Sequence, residues 1–445
     1  MEPSATPQEA LVLGLGESGL AMARWLAGAG WSVRAADTRS EPPLRAALER
    51  ELPQVRLAAG GPLDAALLGD AALVAVSPGL SLRQEPLRSL VAAATAAGVQ
   101  TVGEIELFAR ALAQLRESRA YAPVLIGITG TNGKTTTVRM AGRMVAASGR
   151  SVRVAGNVSP PALQALQEAL AAGALPDVWV LELSSFQLAS TRSLRCAAAG
   201  ILNITPDHLD WHGTLEDYAA CKLRLLEGAA AAVVNRDDPA TLPAAARAPA
   251  RVMTFGLAAP DGPGQYGIVR DEGMDWLACT DEEDAPRRRR RTPRPGAEPA
   301  PPPPAEPLHV RRLMPVEALP VRGLGAALAP GARIVVLLGG DGKGQSFEAL
   351  AAPVTAHARA AIVYGADGPR IALALAAAGV PVLPAASLPA AVCQAAALAQ
   401  PGDVVLLSPA CASFDAYRNY ADRAAAFIDA VRALPGAAAD AEGGQ

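Results

Sequence analysis

The chain is poor in aromatic side chains: Phe, Trp and Tyr together make up 4% of its 445 residues. Its cores must therefore be built from Ala, Val and Leu, and apolar residues at 51% supply enough for more than one. Cysteine is scarce as well. Cys196, Cys221, Cys279, Cys393 and Cys411 stand far apart, are odd in number and form no C-x-x-C pair. Neither a disulfide framework nor a zinc ribbon is expected. A large excess of charge of one sign is missing too, and the net value of −3 argues against a chain that coats nucleic acid or an anionic membrane. The start, MEPSATPQEA, has no basic stretch followed by an apolar one, so no signal peptide is expected. Residues 371–399 carry no charge, but Gly379, Pro381, Pro384 and Pro389 interrupt them. Helix, short buried strand and helix are expected there, not a membrane span. A cytoplasmic protein is the expectation, and its length allows about three domains.

What is present is alternation. Short Val/Leu/Ile runs take turns with Ala-rich helical stretches, the pattern of parallel sheets with crossover helices and an α/β fold. In the first block ALVLGLG reads as strand, followed by a helix to about Gly30 and a strand at WSVRAAD. ALVAVSPGL and VQTVGEIELF read as later strands, and ESRAYAP (117–123) as a linker. The second block has strands at VLIGITG, SVRVAG, DVWVLEL, AAGILNI and AAVVN. An acidic cluster, a run of five arginines and a proline tract at 281–307 cannot bury a core, so a disordered insertion is expected. DWLAC and LHVRRL on either side of it would pair as a hairpin. A third block, from about Gly323, has strands at RIVVLLGG, AAIVYG and DVVLLSP.

Two glycine turns carry chemistry. Gly14-x-Gly16-x-x-Gly19 follows a strand and opens a helix, with Asp37 ending the next strand. That geometry lets a phosphate approach a helix N-terminus, and it suits NAD or a UDP-sugar diphosphate equally. The second turn is sharper. Strand VLIGI leads into Gly130-Thr131-Asn132-Gly133-Lys134-Thr135 and then a helix. Backbone N–H groups there would cradle a nucleoside triphosphate, Lys134 would reach its β/γ-phosphates, and the Thr135 hydroxyl would ligate Mg²⁺. The common pattern wants Gly where Ile128 stands, so this loop is a shorter variant. Glu182 in WVLELSSFQL is a carboxylate in an apolar strand, better explained as a Mg²⁺ ligand than as a core residue. ILNITPDHLDWHG places Asp207, His208, Asp210 and His212 at a strand end, where open sheets bind ligands.

GITGTNGKTTT, GNVS, LELSSFQL, LNITPDHLD and YAACKLRLLEGA together resemble the Mur ligases of peptidoglycan synthesis. GLGESGL, DTR, SPG, GEIELF, LLGGDGKG and LLSPACASFDAYRNYADR resemble the branch that adds D-glutamate. The resemblance implies a Rossmann-like N-terminal domain (1–120) for the UDP substrate and a P-loop-type central domain (121–322) for ATP. An incomplete Rossmann-like C-terminal domain (323–445) would take the amino acid. It implies a monomer that phosphorylates the carboxylate of UDP-N-acetylmuramoyl-L-alanine with ATP and two Mg²⁺, then lets D-glutamate attack. On that resemblance Gly130, Thr131, Asn132, Gly133, Lys134, Thr135 and Thr136 take ATP. Glu182 and Thr135 hold one metal and His208 the second. Lys222, which by itself would be an ordinary helix-surface lysine, matches a lysine that becomes carbamylated and orients metal. Asn157 lies near the reacting groups. Gly16, Glu17, Ser18, Asp37, Thr38, Arg39 and Gly79 match the uridine-diphosphate cradle, and Lys343, Ser413 and Phe414 the D-glutamate pocket, with Tyr420 in the same motif.

One departure stands against that pattern. The family's His-Asn-x-x-Asn and DSK elements, which hold adenine and supply a lysine near the acyl phosphate, are not found. LMPVEALPVRG runs directly into LGAALAPGARIVV, as if a block were missing near 322–325. Loss of that block would expose core surface and unpair a sheet edge, and it puts catalytic competence in question. The alternatives are a non-catalytic nucleotide- or UDP-sugar-binding relative and another Mur-type or folylpolyglutamate-type ligase. A Rossmann oxidoreductase would leave Lys134 unexplained.

Overall fold

The computed structural model describes residues 8–241, 251–280, 310–316, 332–342, 344–411, 413, 415–417 and 420–435. The chain divides into two compact units, Met1–Met314 and Pro315–Gln445. The expected insertion at 281–307 and the break near 322–325 lie outside the described residues.

The first unit holds two sheets. One has five parallel strands in the order β3-β2-β1-β4-β5. They are β1 (Glu9–Leu13), β2 (Ser32–Asp37), β3 (Arg56–Ala59), β4 (Leu73–Val76) and β5 (Gln100–Val102). β1 and β4 lie at its centre and are almost wholly buried, as strands covered by helices on both faces must be. The expected strand VQTVGEIELF is corrected: only Gln100–Val102 is strand, and Glu104–Arg119 is a helix. Glu104 and Glu106 sit in that helix's first turn, where acidic side chains complement the helix dipole.

The second sheet runs β14-β13-β12-β11-β10-β9-β6-β8-β7. Its strands are β6 (Val124–Thr129), β7 (Val152–Gly156), β8 (Val178–Glu182), β9 (Ala198–Ile201), β10 (Ala231–Asn235), β11 (Arg251–Phe255), β12 (Gln265–Asp271), β13 (Met274–Thr280) and β14 (Val310–Pro315). Pairing is parallel from β7 through β12 and antiparallel between β12 and β13. β13 and β14, the strands expected to flank the insertion, are neighbours.

Both sheets sit in one unit because they share one core. Leu20 and Leu26 of the helix Glu17–Gly28, Phe108 and Leu112 of the helix Glu104–Arg119, and Leu163 and Leu166 of the helix Ala162–Ala171 belong to one buried apolar cluster. Phe108 meets Trp179 of β8 edge-on at 5.2 Å. Two carboxylates pin the junction: Glu104 Oε1 accepts from Leu163 N (2.6 Å), and Glu106 accepts from Arg192 N (2.8 Å) and Ser193 N (2.9 Å).

The second unit has four parallel strands in the order β17-β16-β15-β18: β15 (Ile334–Gly339), β16 (Ala358–Tyr364), β17 (Val382–Pro384) and β18 (Val404–Ala410). Residues 371–399 form helix, strand and helix as expected, but β17 is half-exposed and lies at the sheet's edge. Among the described residues no helix is long and apolar enough to cross a membrane.

Candidate functional site

In each sheet one strand (β1, β6 or β15) sends its next connection to one side while a later strand pairs on the other, which opens a crevice at the carboxyl ends. The described motif residues fall at these three places.

In the second sheet β6 ends at Thr129, and the chain turns through Gly130 (φ 158°) and Gly133 (φ 81°) into the helix Lys134–Ala147. A side chain at Gly133 would strain that backbone. Gly133 also supplies no side-chain cap, so the first-turn N–H groups suit an anion. Lys134 Nζ curls back to donate to the Gly130 (3.0 Å) and Thr131 (2.8 Å) carbonyls. Burial lowers its pKa, and the Glu182 carboxylate offsets part of that. Lys222 Nζ donates to the same Gly130 carbonyl at 2.8 Å and lies 4.5 Å above the Tyr218 ring.

Lys222 is therefore no surface lysine: it is 1% exposed. Burial, with the neighbouring Lys134 cation second, brings its pKa down to about 7. A large share of it is then a neutral, nucleophilic amine at neutral pH. Asn203, which the motif reading gave no role, braces the loop by accepting from Asn132 N at 2.8 Å. Tyr218, equally unassigned, meets the Thr131 hydroxyl at 2.9 Å. Thr136 is exposed in the helix's first turn.

Glu182 ends β8 and is 2% exposed. Its carboxylate accepts from Thr135 Oγ1 (2.8 Å) and Asn157 Nδ2 (2.9 Å), both neutral donors. A buried carboxylate beside a hydroxyl, neutralised by neither, matches the hard-oxygen preference of Mg²⁺. His208 follows β9 in a left-handed conformation (φ 54°), with Nε2 3.3 Å from Asp207 Oδ2 and its ring 4.7 Å from Phe186. His212 is buried, with Nε2 2.9 Å from Ser185 Oγ. Burial first, then the His208, Lys222 and Arg83 charges, lower its pKa to about 4, which keeps it neutral. Among the described residues no three His, Cys, Asp or Glu side chains gather tightly enough to hold a metal by themselves. An ion here would complete its shell with hydroxyl, ligand or modified-lysine oxygens.

In the first sheet a cleft of about 400 Å³ lies between the turns after β1 and β4. All seven residues expected in a uridine-diphosphate cradle line it: Gly16, Glu17, Ser18, Asp37, Thr38, Arg39 and Gly79. Gly14 and Ser77 close its floor through a 2.7 Å bond from Ser77 Oγ to the Gly14 carbonyl. A side chain at Gly19 would run into that same carbonyl, so glycine there fixes how closely helix and strand approach. The Asp37 carboxylate accepts from Leu15 N (2.7 Å) and from Arg39 N (2.9 Å), Nε (2.8 Å) and Nη2 (2.6 Å). Burial raises its pKa, and the Arg39 and Leu15 hydrogen bonds more than reverse this, to about 2. With its lone pairs so engaged, Asp37 is poorly placed to receive the ribose hydroxyls of NAD.

In the second unit the LLGGDGKG turn follows β15, and the loop containing Ser413 follows β18. Ser413 is buried, and a hydrogen bond from the Gln345 side chain to the Ala410 carbonyl ties the two turns together. Lys343 and Phe414 lie outside the described residues, as does the side chain of Tyr420.

Three family models match in order along the chain. They are the Mur ligase MurD-like N-terminal domain over residues 8–103, the Mur ligase middle domain over 128–272, and the Mur ligase glutamate ligase domain over 321–411. A protein of Ralstonia nicotianae named UDP-N-acetylmuramoylalanine–D-glutamate ligase is 45% identical over 487 aligned positions, covering 95% of this chain and 96% of its own length. One of the same name from Bordetella avium is 43% identical over 492 positions, with the same coverage. Both spans exceed the 445 residues present here, so the relatives carry stretches with no counterpart in this chain. Matched in all three segments and over nearly its whole length, the chain belongs to the Mur ligase family.

Proposed function

We propose that the chain is an ATP-dependent amide ligase that joins D-glutamate to UDP-N-acetylmuramoyl-L-alanine. The observation that carries this reading is the convergence of Lys134 and Lys222 on one carbonyl of the phosphate loop, beside the Thr135–Glu182–Asn157 chain. The Lys134 ammonium, held here by carbonyl oxygens, is a natural receiver for a polyphosphate, and the Lys222 amine lies beside it on the same carbonyl. The names of the relatives supply the substrates.

In this reading the uridine diphosphate lies in the first-sheet cleft, its phosphates toward the N-terminus of the helix Glu17–Gly28. ATP occupies Gly130–Thr136, and Lys134 exchanges its carbonyl partners for phosphate oxygens. A carboxylate oxygen of the muramoyl substrate attacks the γ-phosphorus and ADP leaves. The uncharged amine of D-glutamate attacks the acyl phosphate carbon. The attacking nitrogen gives up a proton to solvent, and the tetrahedral intermediate then expels phosphate, which takes that carboxylate oxygen with it. Mg²⁺, when bound, neutralises charge around the transferring phosphoryl. Thr135 and Glu182 would hold one ion, while His208 and a carbamylated Lys222 would serve a second. Asn157 keeps the Glu182 carboxylate oriented. Lys343, Ser413 and Phe414 are the residues assigned to D-glutamate, since a cation and a hydroxyl suit a dicarboxylate.

The division into residues 1–120 for the UDP substrate, 121–322 for ATP and 323–445 for the amino acid belongs to the same reading. So do a cytoplasmic location and a monomeric state. The test is phosphate release from ATP with the UDP substrate present, with and without D-glutamate. Release that needs both and vanishes in Lys134→Ala is expected; release independent of D-glutamate would refute ligation. A second reading has one observation in its favour. The relatives' aligned spans are longer than this chain, and a form that lacked a block near 322–325 would bind both nucleotides yet release no phosphate.

A further inference from the structure

The loop after β4 has two ends with different neighbours. Ser77–Leu80 line the first-sheet cleft. The residues that follow reach across to the second sheet. Ser81 Oγ donates to the Trp211 carbonyl (3.2 Å), Arg83 Nη1 to the His212 carbonyl (3.0 Å), and Gln84 Nε2 to the Asp210 carbonyl (2.7 Å). Arg83 also grips the Asp217 carboxylate with both Nη1 (2.6 Å) and Nη2 (3.1 Å). All of these acceptors follow His208 closely, and Asp217 sits in the first turn of the helix Leu215–Leu223. That helix carries Tyr218, on the Thr131 hydroxyl, and Lys222, on the Gly130 carbonyl. Backbone and hydrogen bonds in alternation thus connect the nucleotide cleft of one sheet to the phosphate loop of the other.

We propose that Arg83, aided by Ser81 and Gln84, is a positioning clamp that couples occupancy of the first-sheet cleft to the placement of His208 and Lys222 at the phosphate loop. The inference rests on the reading of that cleft as the UDP site and of Gly130–Thr136 as the ATP site. A diphosphate seated at the Gly14–Gly19 turn contacts Ser77–Leu80 and orders the loop immediately before Ser81. Order there favours one arrangement of the 208–213 turn, and by linkage a ligand at the phosphate loop favours the same arrangement of the cleft. The device is geometric more than stabilising. Arg83 and Asp217 are 54% and 39% exposed, and exposed pairs add little to stability. His212 remains tied to Ser185 from its own sheet when Arg83 is removed.

The test uses binding in the full chain and needs no turnover. The dissociation constant of UDP-N-acetylmuramoyl-L-alanine is measured with and without a non-hydrolysable ATP analogue and Mg²⁺. A ratio of at least about fivefold is expected in the wild type. In Arg83→Ala the ratio should fall to within about twofold of one, while each ligand alone binds within about threefold of wild type. Asp217→Asn should behave alike, and Arg83→Lys should recover part of the ratio. A wild-type ratio of one, or an Arg83→Ala ratio equal to the wild type's, overturns the clamp while leaving the proposed function standing. Failure of the wild type to bind either nucleotide overturns the underlying reading and the clamp with it.

Discussion

Glu104→Gln offers a quantitative check on how the first unit is joined. Glu104 is 1% exposed and bridges the helix Glu104–Arg119 to the start of the helix Ala162–Ala171. Its Oε1 accepts from Leu163 N, whereas Oε2 is buried without a partner. Burial raises the pKa from 4.5 to about 7 against the lowering effect of the Leu163 and Ala162 N–H groups. An acid with a raised folded-state pKa holds its proton in the folded chain after the unfolded chain has lost it. Stability therefore falls as pH rises from the unfolded value through about 7. At about 1.4 kcal/mol per pKa unit, the loss over that window is about 3 kcal/mol. Glutamine keeps the shape and an acceptor for Leu163 N but cannot ionise. Urea unfolding followed by tryptophan fluorescence, to which Trp179, packed on Phe108 of the helix Glu104–Arg119, contributes, reads the unit that holds this junction. The stability difference, variant minus wild type, should grow by about 3 kcal/mol between pH 4.5 and pH 8. Parallel pH profiles for the two proteins would refute the burial argument.

Other outcomes follow from the second-sheet site. Lys222, with a pKa lowered to about 7, gains neutral amine as pH rises through that value. Its carbamate, seen by carbon NMR with labelled bicarbonate, should strengthen from pH 6 to pH 8 and be missing in Lys222→Arg; no signal at any pH would contradict the assignment. Asn157→Ala frees one oxygen of Glu182 and should raise the Mg²⁺ concentration needed for ATP binding by about ten- to a hundredfold, as measured by titration calorimetry. Arg39→Ala removes the two side-chain donors from the buried Asp37 carboxylate and leaves it the backbone N–H groups of Leu15 and residue 39. UDP-substrate affinity should drop with ATP-analogue affinity unchanged, and an equal loss of both would argue against separate sites.

The glycine turns were legible because their chemistry is local. Gly14–Gly19 and Gly130–Thr135 each sit between an apolar run and a helix, and spacing alone defines them. Central strands such as β1, β4, β6 and β15 announce themselves as unbroken apolar runs. Strands at or near a sheet's end do not: β3, at an edge, reads RLAA, and β12, third from the end of its sheet, reads QYGIVRD, each exposing part of its length to water. GEIELF alternates like a strand, yet its two glutamates serve as hydrogen-bond acceptors for backbone N–H groups of the second sheet's elements. No periodicity in one segment records a partner so distant. The same holds for Lys222, whose burial depends on the approach of a carbonyl 92 residues away. The shared core that merges two expected domains into one unit likewise arises from helices far apart in the chain.

The central claim is a carboxylate activated by phosphorylation, and oxygen labelling tests it most directly. UDP-N-acetylmuramoyl-L-alanine carrying ¹⁸O in its terminal carboxylate is turned over with ATP and D-glutamate, and the released phosphate is analysed by mass spectrometry. The account predicts one labelled oxygen in each phosphate formed together with amide product. Phosphate released without label would show that ATP is hydrolysed by water, and would contradict the acyl phosphate route.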